Sequence, residues 1–205
     1  MTLCWEHLQH LLSHPSAWME SPPEWIEPLV LRGAVAVLEE ADSPEADLIL
    51  GAAARVCPIK EMRAAALQAL TRRASQQGRD SSRTMLFDLA VNAANTEAVA
   101  VIRKHNLTCS CPRLQAVFSF LYEDSEAYGQ YDPLGLHITE AYLESQDAGF
   151  RSRLIEAARR QGWEEWIDIV RALESPTEEG VDALINRYTR FTHSRERQIL
   201  LHFLD

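Results

Sequence analysis

The sequence is poor in several things at once. Its 205 residues include 8 Gly and 4 Cys, and 20 Lys plus Arg stand against 30 Asp plus Glu, a formal net charge of −10. Glycine this sparse leaves no phosphate-cradling loop of the P-loop or dinucleotide kind, and neither H-E-x-x-H nor G-x-S-x-G occurs. A basic arm is missing, and an acidic chain as a whole repels polyanions, so nucleic acid is the lesser partner. No apolar run approaches the roughly 20 residues that a membrane helix needs. Met1-Thr2-Leu3-Cys4-Trp5-Glu6 is not a basic segment followed by an apolar one. A cytoplasmic chain with no membrane partner is the expectation. Alternation of apolar and polar residues at period two is also absent over any useful length, which excludes strands as the main element.

What is present is helical spacing. Apolar residues recur three and four apart at Cys4, Leu8, Leu11 and Leu12; at Val30, Leu31, Ala34, Val37 and Leu38; and at Ile49, Ala52, Ala53 and Val56. The same spacing runs through Ile59 to Leu70, Met85 to Ala93, Leu114 to Leu121, Leu134 to Tyr142, Trp163 to Leu173 and Val181 to Tyr188. Pro28, Pro44, Pro58, Pro112, Pro133 and Pro176 precede these patterns, where a missing N–H costs nothing and a fixed φ favours the first turn. Gly78 and Gly162 follow the arginine pairs Arg72-Arg73 and Arg159-Arg160, the combination of a cation in the last turn and a left-handed cap that stops a helix. Counting starts and stops predicts an all-α fold of about eleven short helices.

Arg followed by apolar residues four and seven later occurs at Arg63/Leu67/Leu70, Arg113/Val117/Phe120 and Arg151/Ile155/Ala158, and more loosely at Arg197/Leu201/Leu204. Successive arginines are 50, 38 and 46 residues apart, scattered about the roughly 40–47 of a two-helix HEAT or armadillo unit. Cys57-Pro58 and Cys111-Pro112 are read as two similar helix entrances. The stretch Met62-Arg63-Ala64-Ala65-Ala66-Leu67-Gln68-Ala69-Leu70 resembles the second helix of a HEAT repeat, and Pro112 to Leu121, Phe150 to Gly162 and Ser194 to Leu204 share its Arg and following apolar positions. The segment from Tyr131-Asp132-Pro133 to Trp166-Ile167 is similar to helical segments of long bacterial proteins that also carry β-propeller repeats. The two resemblances imply a bacterial origin and a right-handed α-α superhelix, one solenoid domain over 1–205. Within it, 1–42 would be N-terminal cap helices, 43–122 middle basic repeats and 123–205 C-terminal acidic repeats.

Each helix pair of such a stack hides its apolar stripe on the next pair, and runs of small residues such as Ala64-Ala65-Ala66 let axes approach. The exposed faces then serve as a surface for another macromolecule, which makes a non-catalytic protein-binding scaffold the leading functional reading.

Charge is segregated along the chain. Residues 1–50 carry 1 basic and 9 acidic groups, 51–113 carry 10 and 4, and 114–205 carry 9 and 17, giving nets of −8, +6 and −8. Arg72, Arg73, Arg79, Arg83, Arg103 and Lys104 of the basic middle are the candidate binding residues, suited through arginine forks to an acidic segment of a protein. The competing reading is that these cations neutralise neighbouring acidic helices. A nucleic-acid ligand on the same residues is the alternative function.

Other constellations carry less. His105, Cys109 and Cys111 lie within seven residues, but the spacing is not that of a structural zinc site, and Cys4 and Cys57 are isolated. Cys57 and Cys111, read at helix entrances, would be thiolate candidates, yet no base completes a catalytic set. His7, His10 and His14 share a helix face by spacing. The adjacent pairs Glu39-Glu40, Glu164-Glu165 and Glu178-Glu179 diverge on a helix and suit solvated faces. Trp18 and Trp25 flank a Pro-Pro turn and read as a cap over the first repeat. No cofactor is implied.

Overall fold

A computed structural model of the chain describes residues 28–57, 59–76, 78–122, 125–174, 177–188 and 195–204. Among the described residues there are twelve helices and no strand: α1 (Pro28–Glu40), α2 (Pro44–Val56), α3 (Lys60–Ala74), α4 (Asp80–Val91), α5 (Thr96–Lys104), α6 (Pro112–Tyr122), α7 (Ser125–Tyr131), α8 (Leu136–Glu144), α9 (Ala148–Arg160), α10 (Glu164–Glu174), α11 (Glu178–Tyr188) and α12 (Arg195–Leu204). The expected helix at Cys4–Leu12, the Trp18–Trp25 cap and the His7, His10 and His14 face lie outside the described residues. Contacts divide the chain into two compact units, Met1–Ser110 and Cys111–Asp205.

Local chemistry sets the helix ends. Pro28, Pro44 and Pro112 are first residues of α1, α2 and α6, whereas Pro133 lies in the turn before α8. Ser43, Asn95 and Asp147 cap α2, α5 and α9 by accepting hydrogen bonds from the N–H groups of Ala46, Ala98 and Gly149. After α9 the N–H of Gly162 donates to Arg159 O and that of Trp163 to Ala158 O, and Gly162 has φ +71°, which is a Schellman stop. Asn106 (φ +46°) does the same after α5, with bonds from its own N–H to Arg103 O and from Leu107 N–H to Ile102 O. The two Cys-Pro pairs are not alike. Cys111 opens α6, its carbonyl accepting from Gln115 N–H, but Cys57 ends α2, its N–H donating to Ala53 O.

In the N-terminal unit α1 packs on α2 and α3, α2 on α3 and α4, α3 on α4, and α4 on α5. Small buried residues (Ala46, Ala53 and Ala54 on α2; Ala66, Ala69 and Ala74 on α3) bring the axes together, and Leu50, Leu70, Leu86, Phe87 and Leu89 fill the layer. A Cβ added to Gly51 would meet Met85 Sδ at 3.0 Å, so α2 and α4 are in close contact there. The HEAT-like stretch is most of α3, with Met62, Ala66, Leu67, Ala69 and Leu70 inside.

The C-terminal unit is organised on aromatic rings. Phe120 lies 5.0 Å from Tyr128, 5.3 Å from Trp163 and 5.9 Å from Trp166, and Tyr142 lies 5.8 Å from Trp166, within the spacing of favourable tilted and edge contacts. The Trp166 Nε1–H donates to Thr139 Oγ1 at 2.9 Å, so its one polar atom is satisfied. Asp132, buried, accepts from Tyr128 OH at 2.7 Å and from the N–H groups of Leu136 and Ile138 at 2.9 and 3.2 Å, tying α7 to the start of α8. Arg195 stacks 3.7 Å from the Trp163 ring centroid, which brings α12 onto the same cluster. The Arg-plus-four-plus-seven pattern points inward at Leu67, Leu70, Val117, Phe120, Ile155 and Ala158, but Leu201 and Leu204 are exposed, and α12 buries Ile199 and Leu200 instead.

Candidate functional site

The basic middle segment is for the most part neutralised within the N-terminal unit. Arg72 grips Glu39 with two donors, Nη2 to Oε2 at 2.5 Å and Nε to Oε1. That hydrogen bond, opposed by partial burial and aided by the charges of Arg72 and Arg73, holds the Glu39 carboxyl below its usual range. Arg79 Nη1 meets Asp42 Oδ1 at 2.6 Å, and Arg55 pairs with Asp88. Arg83 donates through Nε to Ala74 O at 3.0 Å, satisfying a carbonyl at the end of α3, with Asp80 at 3.7 Å.

Arg73 departs furthest from its expected place on a binding surface. It is 0% exposed, and its guanidinium donates to Asp47 Oδ1 at 2.5 Å, to the carbonyls of Leu38, Glu39 and Ala41 at 3.1, 2.9 and 2.5 Å, and to Ser43 O at 3.2 Å. Five donated bonds end on the C-terminus of α1, the turn after it and the first turn of α2, so Arg73 is an internal clamp with no face left for a partner. Asp47 is equally buried and also accepts from Ser81 and Ser82. Burial pushes its carboxyl up, but the hydrogen bonds from Arg73, Ser81 and Ser82 and the charge of Arg73 outweigh that and leave it below the ordinary value.

Of the six candidate binding residues, Arg72, Arg79 and Arg83 are engaged at the surface and Arg73 inside. Arg103 and Lys104 are exposed in the last turn of α5 and form no ion pair among the described residues. The structure therefore joins Arg72 and Arg73 of α3, and Arg79 just before α4, to carboxylates of α1, the turn after it and α2, and leaves the α5 pair apart from them. Cys57 is buried, and Cys109 Sγ lies 3.7 Å from Thr84 Oγ1. Among the described residues no group of three or more His, Cys, Asp or Glu is gathered to hold a metal ion.

The C-terminal unit holds an open cleft of about 400 Å³ between α8, α9 and α10, walled by Tyr142, Arg151, Glu156, Arg159, Arg171 and Glu174 with Ile155 at its base. Both oxygens of Glu174 accept a hydrogen bond: Arg151 Nη1 donates to Oε1, and the Tyr142 hydroxyl donates to Oε2 at 3.1 Å. The Arg151 guanidinium carbon also sits 5.7 Å from the Tyr142 ring centroid. Burial, then the bond to Glu174, raises the Tyr142 phenol above its usual value, so it stays a donor at neutral pH. Arg159 and Arg171 line the same space, are exposed, and form no ion pair among the described residues. The sequence offered a faint signal for this wall. Arg151, Ile155 and Arg159 fall four apart on one face of α9, but nothing local ties them to Tyr142 or to Arg171 and Glu174 on other helices.

No protein-family model, curated protein or solved structure matches this chain.

Proposed function

We propose that the chain is a non-catalytic protein-binding adaptor of the cytoplasm whose helices stack in the HEAT or armadillo manner as a right-handed α-α superhelix. The observation that carries this reading is the locality of the packing: within each unit every substantial helix–helix contact joins elements no more than three apart in order. Such quasi-one-dimensional stacking covers each apolar stripe with its neighbours and leaves one face of most helices free for a partner. The nucleic-acid alternative draws on the basic middle segment, and there Arg72, Arg73 and Arg79 are already committed to Glu39, Asp47 and Asp42. A ligand phosphate would have to displace carboxylates held at hydrogen-bonding distance.

Two measurements on the full chain test the reading together. Chemical crosslinking in the cells that make it should return one recurrent protein partner, with crosslinks on exposed helix faces. Anisotropy titration against single- and double-stranded oligonucleotides should show no retention at about 0.15 M salt. Micromolar retention with a steep salt slope and no recurrent protein would replace the adaptor by the nucleic-acid binder.

A further inference from the structure

We infer that the cleft between α8, α9 and α10 is a binding site for a single carboxylate group. Resting on the adaptor reading, its source is an isolated Asp or Glu side chain of a protein partner. The three cationic residues of the cleft are not equivalent. Arg151 is spent on Glu174, whose second oxygen is taken by Tyr142, so this trio forms a fixed and nearly neutral floor. Arg159 from α9 and Arg171 from α10 remain, with Glu156 as the one lining carboxylate outside the floor. The cleft therefore keeps an excess of one positive charge, presented by two guanidinium forks whose geometry matches the two oxygens of a carboxylate.

Size and surroundings narrow the ligand. A volume of about 400 Å³ is that of a small ligand site, but the space is open, which suits a side chain projecting from a larger body better than an enclosed metabolite. Residues 114–205 carry a net −8, so the segment as a whole repels an extended polyanion, while one carboxylate flanked by neutral residues meets less of that repulsion on reaching the two arginines. An isolated acidic residue in an apolar setting is thus the ligand that the charge pattern selects.

The probes are an N-acetylated, C-amidated, neutral-flanked pentapeptide with one central Glu, its Gln twin blocked in the same way, and inorganic phosphate, each titrated into the full chain. The Nε–Hε resonances of Arg159 and Arg171 are followed by NMR and assigned from Arg159→Lys and Arg171→Lys. The Glu peptide should shift both resonances to saturation, with its Gln twin weaker by about tenfold. With binding read by the anisotropy of a dye-labelled Glu peptide, Arg159→Gln with Arg171→Gln should abolish it, while Lys60→Gln, at an exposed position of α3, leaves it unchanged. Both arginines are exposed, so an unaltered thermal melt certifies the variant. Equal binding of the twins, insensitivity to the cleft variant, or phosphate binding tighter than the Glu peptide would overturn the inference. The two readings fail separately. A crosslinked partner retained by the cleft variant would remove the cleft and keep the adaptor, whereas a cleft that titrates with no crosslinked protein would keep the carboxylate site and remove the adaptor.

Discussion

Arg73→Met is the perturbation that separates a docking cation from a structural one. The guanidinium is buried and donates five hydrogen bonds, one to Asp47 and four to backbone carbonyls between Leu38 and Ser43. Methionine fills much of the volume but leaves the Asp47 carboxylate buried with only Ser81 and Ser82 as donors, and strips the end of α1 of its partners. Breaking a buried pair from one side costs about 3–5 kcal/mol, a large fraction of the 5–15 kcal/mol typical of a folded domain. Asp47→Asn strands the Arg73 cation in turn but should cost less, because the four carbonyl acceptors and the amide oxygen still receive its N–H groups, and the double variant should be less destabilised than the sum of the singles. Urea unfolding followed by far-UV ellipticity reads this as a shift in midpoint at unchanged slope. The pH dependence supplies a second check. Asp47 is depressed when folded, so its contribution is present above the unfolded value near 3.8 and lost as pH falls through the lower folded value. With Arg73 gone, burial dominates and lifts the folded value above the unfolded one, the sign reverses, and the Asp47 part of the acid limb disappears, so the cost of the variant shrinks as pH falls. A loss under about 1 kcal/mol, the range of an exposed pair, together with an unmoved acid limb, would refute the clamp.

Three further outcomes are expected. Ala66→Leu, at a fully buried position of α3, should destabilise by about 1–3 kcal/mol through overpacking, whereas Ala65→Leu, only half-buried, should cost less in the same urea titration. Gly135→Ala should lower the melting temperature more than Gly162→Ala. Both have positive φ, at a penalty of about 1–2 kcal/mol, but the new methyl at 135 would also stand 3.3 Å from Ile199 Cδ1, while at 162 it would meet only Glu164 Oε2 at an ordinary 3.9 Å. Asp132→Ala, which leaves the buried N–H of Ile138, the N–H of Leu136 and the Tyr128 hydroxyl without their acceptor, should cost about 2 kcal/mol or more, visible as early loss of near-UV tryptophan ellipticity. Tyr128→Phe should be milder, since it removes one of the three bonds.

The helices that could be read from the sequence were those in which period and punctuation agree. Pro28, Pro44 and Pro112 stand where α1, α2 and α6 begin, and Gly162 closes α9 with the geometry that a left-handed residue permits. Helix α5 was missed because nine residues burying only Ala98, Val99 and Ile102 give the period little room, although Asn95 three residues before Ala98 is a capping signal in its own right. For α12, spacing named Leu201 and Leu204 and the fold buries Ile199 and Leu200. A period of 3.6 defines a face but not which neighbour covers it. The cleft was beyond the sequence for a similar reason: Tyr142 and Glu174 meet across 32 residues, and Arg151 and Glu174 across 23.

Charge summed along the chain and charge arranged in space give different answers, and the difference bears on function. The −8 of residues 1–50 and the +6 of residues 51–113 look like separate bands, yet Glu39, Asp42 and Asp47 reach Arg72, Arg79 and Arg73 across 33, 37 and 26 residues and cancel them. Of these three pairs, Arg72–Glu39 and Arg79–Asp42 are solvent-accessible and each is worth about 0–1 kcal/mol. Salt that screens them should therefore leave the N-terminal unit nearly as stable, since its buried clamp is shielded from ions. In the C-terminal unit the majority charge is negative, and the arginines outnumbering the carboxylates in one cleft are the exception. A small net-positive cleft on a segment of opposite net charge, as proposed for this one, would discriminate more sharply than a broad basic band, because a ligand carrying more negative charge is repelled by the segment as a whole. Specificity of that kind needs few residues, and the proposed contact at Arg159 and Arg171 lies outside the net-basic middle segment.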